Sequence, residues 1–206
     1  MEDVLAVYAR PPDPARPLIC LDEAGKDLKA DTRPPQPMAP VRGARQDDDY
    51  RRHGSRRLFV WVAPHLGRRH ITVRLRRTAH DFAYVLRELV DEHFGDAEGI
   101  VLVTDNLNTH YPASLYQTFP PAEARRVLER IEWHDTPKHG SWLNMAELEI
   151  SALQTQCLNR RLPDQARLEQ ETAAWVTARN DARRVITWTF TVEEARTTLH
   201  RLYPPP

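Results

Sequence analysis

The pattern of apolar and polar positions along the chain predicts five β-strands. In these segments apolar β-forming residues follow one another or alternate with polar ones, which is typical of buried and half-buried strands. A short turn at Leu66 and Gly67 separates the second segment from the third, so these two are predicted to form an antiparallel hairpin. The predicted strands are LICLDE (18–23), RLFVWVAP (57–64), RRHITVRLRR (68–77), GIVLVTDN (99–106) and IEWHD (131–135).

Apolar residues elsewhere recur at the spacing of amphipathic helices. Thr191 and Glu194 have the spacing of a capping box, which predicts the start of the last helix. The predicted helices cover 78–94, a region from about 112 that includes 123–130, 143–158, 166–181 and the residues after 191. This order of strands and helices predicts an α/β fold with a mixed five-stranded sheet flanked by helices.

The length of 206 residues is that of one ordinary domain, with two segments that lack a regular pattern. Residues 1–16 combine a short helical turn with a proline-rich leader, and we interpret them as an interdomain-type linker ahead of a domain at 17–206. A long proline- and arginine-rich excursion at about 24–57 is predicted to be irregular. Connections of this length are usually functional or disordered.

The composition excludes several classes of protein. No apolar run approaches the ~20 residues of a membrane helix, so no membrane partner is expected. The N-terminus lacks the apolar core of a secretory signal. Two cysteines, Cys20 and Cys157, support neither a disulfide framework nor a cysteine metal site. We therefore expect a protein of the reducing cytoplasm.

The charges cancel over the whole chain but not locally. The 29 basic and 29 acidic residues argue against a uniformly basic nucleic-acid-binding surface. Residues 42–77, however, hold eleven arginines and three acids, a local net charge of +8. Such a segment is either a surface that tracks phosphates or the solvated face of a hairpin, and composition alone does not choose between them.

Acidic residues close two of the predicted strands. Asp22 ends the first strand and Asp105 ends the fourth, and ligands of α/β sheets bind beyond the carboxyl ends of strands. The predicted helix 143–158 adds Glu147 and Glu149, which lie on opposite edges of its buried face, so periodicity does not choose between them. Three converging carboxylates call for hard cations, and a pair of Mg²⁺ ions would suit in-line phosphoryl transfer.

The segments LICLDE, VLVTDNLNTH and TPKHGSWLNMAELEISAL resemble the catalytic domain of bacterial insertion-sequence transposases related to Tc/mariner, in the family numbered six-thirty. The resemblance covers about 17–203 and also includes DDDYRRHGSRRLF. It implies an RNase H-like fold and a triad of two aspartates and one glutamate that holds two Mg²⁺ ions, for which Mn²⁺ can substitute. Asp22, Asp105 and Glu147 match that triad, because LNMAE aligns with the family pattern L-N-x-x-E. Whether Glu149 has a role in the site stays open.

The resemblance also implies supporting and DNA-binding residues. Asn106 and His110 would shape the turn after the second aspartate, although His110 could equally cap or pack a loop. His139 and Asn144 would position the third acid or contact DNA, as would Trp142, which could equally be a core residue. The residues expected to contact DNA are Arg51, Arg52, Arg56, Arg57, Arg74, Arg76, Lys138 and Trp142.

Transposases of this family carry helix-turn-helix domains ahead of the catalytic domain, and we expect none within this chain. A DNA-binding partner encoded in an upstream reading frame is one possible consequence. Because two transposon ends must meet, we expect a homodimer or larger assembly on DNA, acting in the bacterial cytoplasm.

Two other hypotheses for the function are a non-catalytic remnant that binds DNA or transposase, and an RNase H-like nuclease.

Overall fold

The computed structural model describes residues 1–40, 42–105 and 111–203. Its strands are β1 (Leu18–Asp31), β2 (Tyr50–Ala63), β3 (Arg68–Arg74), β4 (Ile100–Thr104) and β5 (Ile131–Asp135). Its helices are α1 (Glu2–Tyr8), α2 (Ala79–Glu88), α3 (Ala113–Thr118), α4 (Pro121–Leu128), α5 (Ala146–Leu153), α6 (Gln165–Asp181) and α7 (Val192–Thr198). π-Helical turns at Leu89–His93 and Gln154–Leu158 extend α2 and α5, and 3-10 turns cover Pro64–Leu66, Ser141–Leu143 and His200–Leu202.

The strands form one mixed sheet in the order β3-β2-β1-β4-β5. β2 pairs antiparallel with both β1 and β3, whereas β4 lies parallel to both β1 and β5. Gly67, with a φ of 61°, forms the turn between β2 and β3 that the sequence predicts. The predicted α/β fold, with a mixed five-stranded sheet flanked by helices, is confirmed.

Alternation of side chains along the strands gives the sheet two apolar faces. Leu21 and Trp61 pack on the face that α2, α3 and α4 cover. Cys20 and Val103 pack on the other face, against α1, α7 and the residues that lead into α5. The remainder of α5 and α6 cover the β1–β2 end of this second face. No helix in the described part of the chain is long and apolar enough to cross a membrane.

The irregular segment was predicted at about 24–57, and both of these bounds are wrong. β1 continues to Asp31 and β2 already begins at Tyr50, so the two strands form a long ribbon and the irregular part is 32–49. Backbone hydrogen bonds hold this ribbon, and polar residues dominate it, so it lacks an apolar alternation. The strands β3 and β4 are also shorter than predicted, ending at residues 74 and 104 rather than 77 and 106.

Residues 1–16, interpreted above as a linker, contain a helix that packs into the core. Val4, Leu5 and Val7 of α1 are buried and join the cluster around Cys20. Leu5 is 3% exposed, which a segment that merely connects domains does not require. α1 is therefore a structural part of this domain. A connecting role for the proline-rich residues that follow it stays a prediction.

Candidate active site

Asp22 in β1 and Asp105 directly after β4 lie at the same level of two neighbouring parallel strands. The β1–β4 register pairs Cys20 with Val103, and two residues further along each chain segment are Asp22 and Asp105. Because side chains alternate, both acids share the face on which Cys20 and Val103 pack. Neighbouring strands are separated by about 4.8 Å, so two carboxylates meet at this edge of the sheet. This is the face that carries α5.

The end of β4 is held against β5 by polar contacts. Thr104 is fully buried, and its Oγ1 donates a hydrogen bond of 3.1 Å to Asp135 Oδ1. The Thr136 amide donates to the Thr104 carbonyl at 2.9 Å. The residue directly before Asp105 therefore has both its side chain and its carbonyl bound to the neighbouring strand. These contacts hold the carboxyl end of β4 against β5.

Asn144 links the first carboxylate to the start of α5. Its Nδ2 donates to the Leu21 carbonyl at 2.8 Å and to Asp22 Oδ2 at 3.2 Å. Its Oδ1 accepts from the Ala146 amide at 3.1 Å, and its carbonyl accepts from the Glu147 amide at 3.0 Å. Asn144 is fully buried, so of the two roles predicted for it only the positioning role is compatible with its location.

Glu147 lies in the first turn of α5 and is partly buried. Burial raises the pKa of its carboxyl group, and the negative charge of Asp105 raises this pKa further. The two carboxylates are therefore close enough to repel each other. Asp22 is 4% exposed, and its Oδ1 accepts from the Glu23 amide at 2.7 Å.

The donor set at this edge fits a hard cation. The groups that converge are carboxylates, the ligands that Mg²⁺ and Mn²⁺ prefer. A cation would offset the repulsion between Glu147 and Asp105 that raises the Glu147 pKa. Burial raises the pKa of the neighbouring Cys20 to about 12, so its thiol stays protonated and supplies no soft ligand. Among the described residues, the three acids do not form a group with ligand atoms all within 4.8 Å of one another.

Glu149, the other glutamate that periodicity left open, belongs to a separate buried ion-pair network. Arg179 donates to both of its carboxylate oxygens, at 3.0 and 2.8 Å. Arg69 Nε lies 3.2 Å from Glu149 Oε2, and the two side chains are 0% and 2% exposed. Glu149 therefore ties α5 to α6 and β3. Its two arginine partners lie far away in the sequence, so helical periodicity could not have identified this network.

Tyr8 of α1 forms a hydrogen bond with the segment that precedes α5. This contact was not predicted from the sequence. Its hydroxyl donates to the Leu143 carbonyl at 2.7 Å and lies 3.6 Å from Cys20 Sγ. Its ring packs against Trp188 at a centroid distance of 5.1 Å. The two ends of the hydrogen bond are 135 residues apart, and no local pattern indicates it.

The turn between β5 and α5 places three predicted residues at the surface. Lys138 and His139 are exposed, and His139 adopts a φ of 64°. Trp142 is 47% exposed, so it is not a core residue, and its ring lies 6.0 Å from that of Phe190. A Cβ at Gly140 would come within 2.6 Å of the Pro137 ring, which explains the glycine at this position. Asn106 and His110 lie outside the described residues.

The predicted DNA-binding arginines have different environments. Arg51, Arg52 and Arg76 are exposed, whereas Arg56 is half-buried and donates to Gln165 Oε1 at 2.6 Å. Arg57 is half-buried opposite Arg74 in the β2–β3 register, and Arg74 Nη2 lies 3.5 Å from Glu88 Oε2. Arg69, counted above in the basic segment, is 1% exposed and contributes nothing to a surface. The exposed basic charge is therefore smaller than +8 suggests.

Residues 17–169 match the family model described as DDE superfamily endonuclease. The chain belongs to this superfamily. No curated protein matches it. The predicted RNase H-like fold is confirmed by likeness to solved structures of the Mos1 mariner transposase.

The paired-end complex with Mn has a TM-score of 0.58 at 17% identity, over 89% of this chain and 54% of that chain. The Mos1 strand transfer complex has a TM-score of 0.58 at 14% identity, over 89% of this chain and 53% of that chain. The paired-end complex with the left transposon end has a TM-score of 0.57 at 17% identity, over 89% and 54%. The chain thus spans about half the length of these transposase chains.

Proposed function

We propose that this chain is the catalytic domain of a DNA transposase that cleaves and joins phosphodiester bonds with Mg²⁺. The observation that carries the proposal is that Asp22 and Asp105 lie at the carboxyl ends of β1 and β4, and that Glu147 is close enough to Asp105 for its pKa to be raised. Membership of the DDE endonuclease superfamily supports metal-dependent cleavage of nucleic acid. The finer assignment, to bacterial insertion sequences of the family numbered six-thirty, rests on the resemblance of the sequence blocks.

The three acids have distinct tasks in this proposal. Asp22 and Asp105 would be ligands of the metal ions, and Glu147 would complete the site from α5. Asn144 orients the Asp22 carboxylate through its 3.2 Å hydrogen bond and joins it to the helix that carries Glu147. Two bound Mg²⁺ ions, which Mn²⁺ can replace, would activate a water or a 3′-hydroxyl and stabilise the leaving oxygen.

DNA is the proposed partner. The structural neighbours are paired-end and strand transfer complexes of Mos1, which supports a DNA substrate for this fold. Exposed residues on the ribbon, after β3 and in the turn before α5 would contact DNA. Those residues are Arg51, Arg52, Arg76, Lys138 and Trp142. The half-buried Arg56, Arg57 and Arg74 would contribute once Arg56 leaves Gln165 and Arg74 leaves Glu88. We further propose that at least two copies act together, because two transposon ends must be joined, and that this occurs in the bacterial cytoplasm.

Cleavage of DNA by wild type and Asp105→Asn tests the proposal. A metal ion acting as a Lewis acid contributes several kcal/mol, so loss of one ligand should slow cleavage at least ~100-fold. Asp91→Asn, on the opposite face of the sheet, is the control and should cleave like wild type. Cleavage at the wild-type rate by Asp105→Asn would refute the assignment. Salt-sensitive DNA binding without cleavage in Mg²⁺ or Mn²⁺ would favour the non-catalytic remnant.

A further inference from the structure

A second group of metal-ligating side chains lies on the other face of the sheet. It consists of His70 of β3, Glu88 at the end of α2, and His93 in the π-helical turn after it. Their ligand atoms all lie within 4.8 Å of one another. His70 stands opposite Trp61 in the β2–β3 register, and Trp61 packs on the face that α2 covers. The carboxylates of the candidate active site project from the opposite face.

The π-helical turn brings Glu88 and His93 together. Five residues along a regular α-helix correspond to about 500°, which would direct the two side chains to different sides. The wider turn at Leu89–His93, closed by the Phe94 amide on the Leu89 carbonyl at 3.1 Å, aligns them instead. Such π-bulges occur frequently at functional sites.

The distances within the group are those of ligands around a metal ion. His70 Nε2 and His93 Nε2 lie 3.4 and 3.5 Å from Glu88 Oε1. These separations exceed the usual length of a hydrogen bond. With metal–ligand bonds of 2.0–2.2 Å, two ligands of a tetrahedral Zn²⁺ ion are about 3.4 Å apart. The two observed separations therefore match the edges of such a tetrahedron.

The surroundings of the group also suit a metal ion. His93 Nε2 is buried and, within the described part of the chain, has no hydrogen-bond partner. Trp61 packs against both imidazoles, at centroid distances of 5.8 Å to His70 and 5.0 Å to His93. Thr72 Oγ1 donates to Glu88 Oε1 at 3.3 Å and would orient the carboxylate. Metal ligands are commonly held by such outer contacts.

Access to the group comes from one side. A cleft of about 470 Å³ runs along the edge strand β3 beside α6, and His70 and Glu88 line it. Three protein ligands with an accessible fourth position are the arrangement of many zinc sites. Arg74 contacts the other carboxylate oxygen, Oε2, at 3.5 Å, so Oε1 can bind a metal ion while that contact persists.

We propose that His70, Glu88 and His93 bind a divalent transition metal of the Zn²⁺ class, separately from the Mg²⁺ site. Two imidazoles and one carboxylate favour Zn²⁺ over Mg²⁺, which prefers oxygen ligands alone. The bound ion would join the edge strand β3 to the end of α2.

Titration with Co²⁺, followed by its visible absorption, tests this proposal. Excess Mg²⁺ is kept present to fill the carboxylate site. We expect wild type to bind one tetrahedral Co²⁺, which Zn²⁺ then displaces. His70→Gln and His93→Gln should each weaken binding by at least ~10-fold, since loss of even an outer contact costs that much. His80→Gln, on the exposed side of α2, is the matched control and should bind like wild type.

A variant that gains an absorption band makes the test independent of folding defects, because an unfolded protein would only lose Co²⁺ binding. His93→Cys should retain Co²⁺ and add a thiolate-to-cobalt charge-transfer band, which a purely structural histidine would not produce. The absence of Co²⁺ binding by wild type would overturn the proposal. Unchanged binding by both His→Gln variants, or loss of binding in Asp105→Asn instead, would also overturn it. None of these results depends on DNA cleavage, so the two metal sites are judged separately.

Discussion

The two glutamates of α5 should separate catalysis from stability. Glu149 is 2% exposed and forms ion pairs with two guanidinium groups, those of Arg69 and Arg179. Removing one partner of a buried ion pair costs about 3–5 kcal/mol, because the remaining charge is left buried without compensation. We therefore expect Glu149→Gln to lower the free energy of unfolding by about this amount.

Glu147→Gln should have the opposite profile. Folding raises the Glu147 pKa, so the ionised carboxylate opposes folding at any pH above its folded pKa. Neutralising it should leave the stability at neutral pH unchanged or higher, while abolishing metal-dependent cleavage. Both variants replace Glu with Gln at positions two residues apart on one helix, so each variant is the control for the other.

Urea unfolding monitored by tryptophan fluorescence measures both effects. With an m-value of about 2 kcal/mol/M, Glu149→Gln should move the unfolding midpoint down by about 2 M. Glu147→Gln should not move it down. Cleavage assays at a temperature where both variants are folded complete the comparison. An equal loss of stability in Glu147→Gln and Glu149→Gln would contradict these roles, as would a Glu149→Gln variant that is as stable as wild type but does not cleave DNA.

Two further variants test the positioning residue and the DNA surface. Asn144→Ala removes the hydrogen bonds to Leu21, Asp22 and Ala146, and at about 1 kcal/mol each it should lower the free energy of unfolding by about 2–4 kcal/mol. It should also slow cleavage, so wild-type cleavage rates in this variant would contradict the positioning role. Replacing both Arg51 and Arg52 with Gln should reduce the dependence of log Kd on log salt by about 1.8, and an unchanged slope in a filter-binding titration would show that the ribbon does not contact phosphates.

The elements that carry a strong apolar pattern were predictable from the sequence. The buried run Ile100–Thr104 and the alternation in β3 predict their strands, and the first of these, β4, brings Asp105 to the carboxyl end of the sheet. The ribbon of β1 and β2 was missed, because its outer residues pair through the backbone and are mostly polar. Local patterns report burial, and they say little about backbone pairing at the surface.

Two features of the structure could not be predicted from the sequence, because they depend on contacts between residues that are far apart in the chain or on an irregular helical turn. Glu147 and Glu149 are equivalent by helical periodicity, and among patterns of the sequence only the resemblance of LNMAE to the family motif favours Glu147. The buried ion pairs of Glu149 depend on the packing of Arg69 and Arg179 around it. The His70–Glu88–His93 group depends on a π-helical turn that departs from the regular helical spacing. Neither feature has a signature within a short window of sequence.

A change of ligand chemistry at Asp105 tests whether this residue holds the catalytic metal ion. Asp105→Cys replaces a hard carboxylate with a soft thiolate, which binds Mg²⁺ poorly and is better matched by softer metal ions. The rates of DNA cleavage by this variant and by wild type are compared in Mg²⁺ and in Mn²⁺. We expect the variant to be inactive in Mg²⁺ and to recover activity in Mn²⁺, while wild type is active in both. Equal cleavage by the variant and wild type in Mg²⁺ would show that Asp105 is not a ligand of the catalytic metal ion.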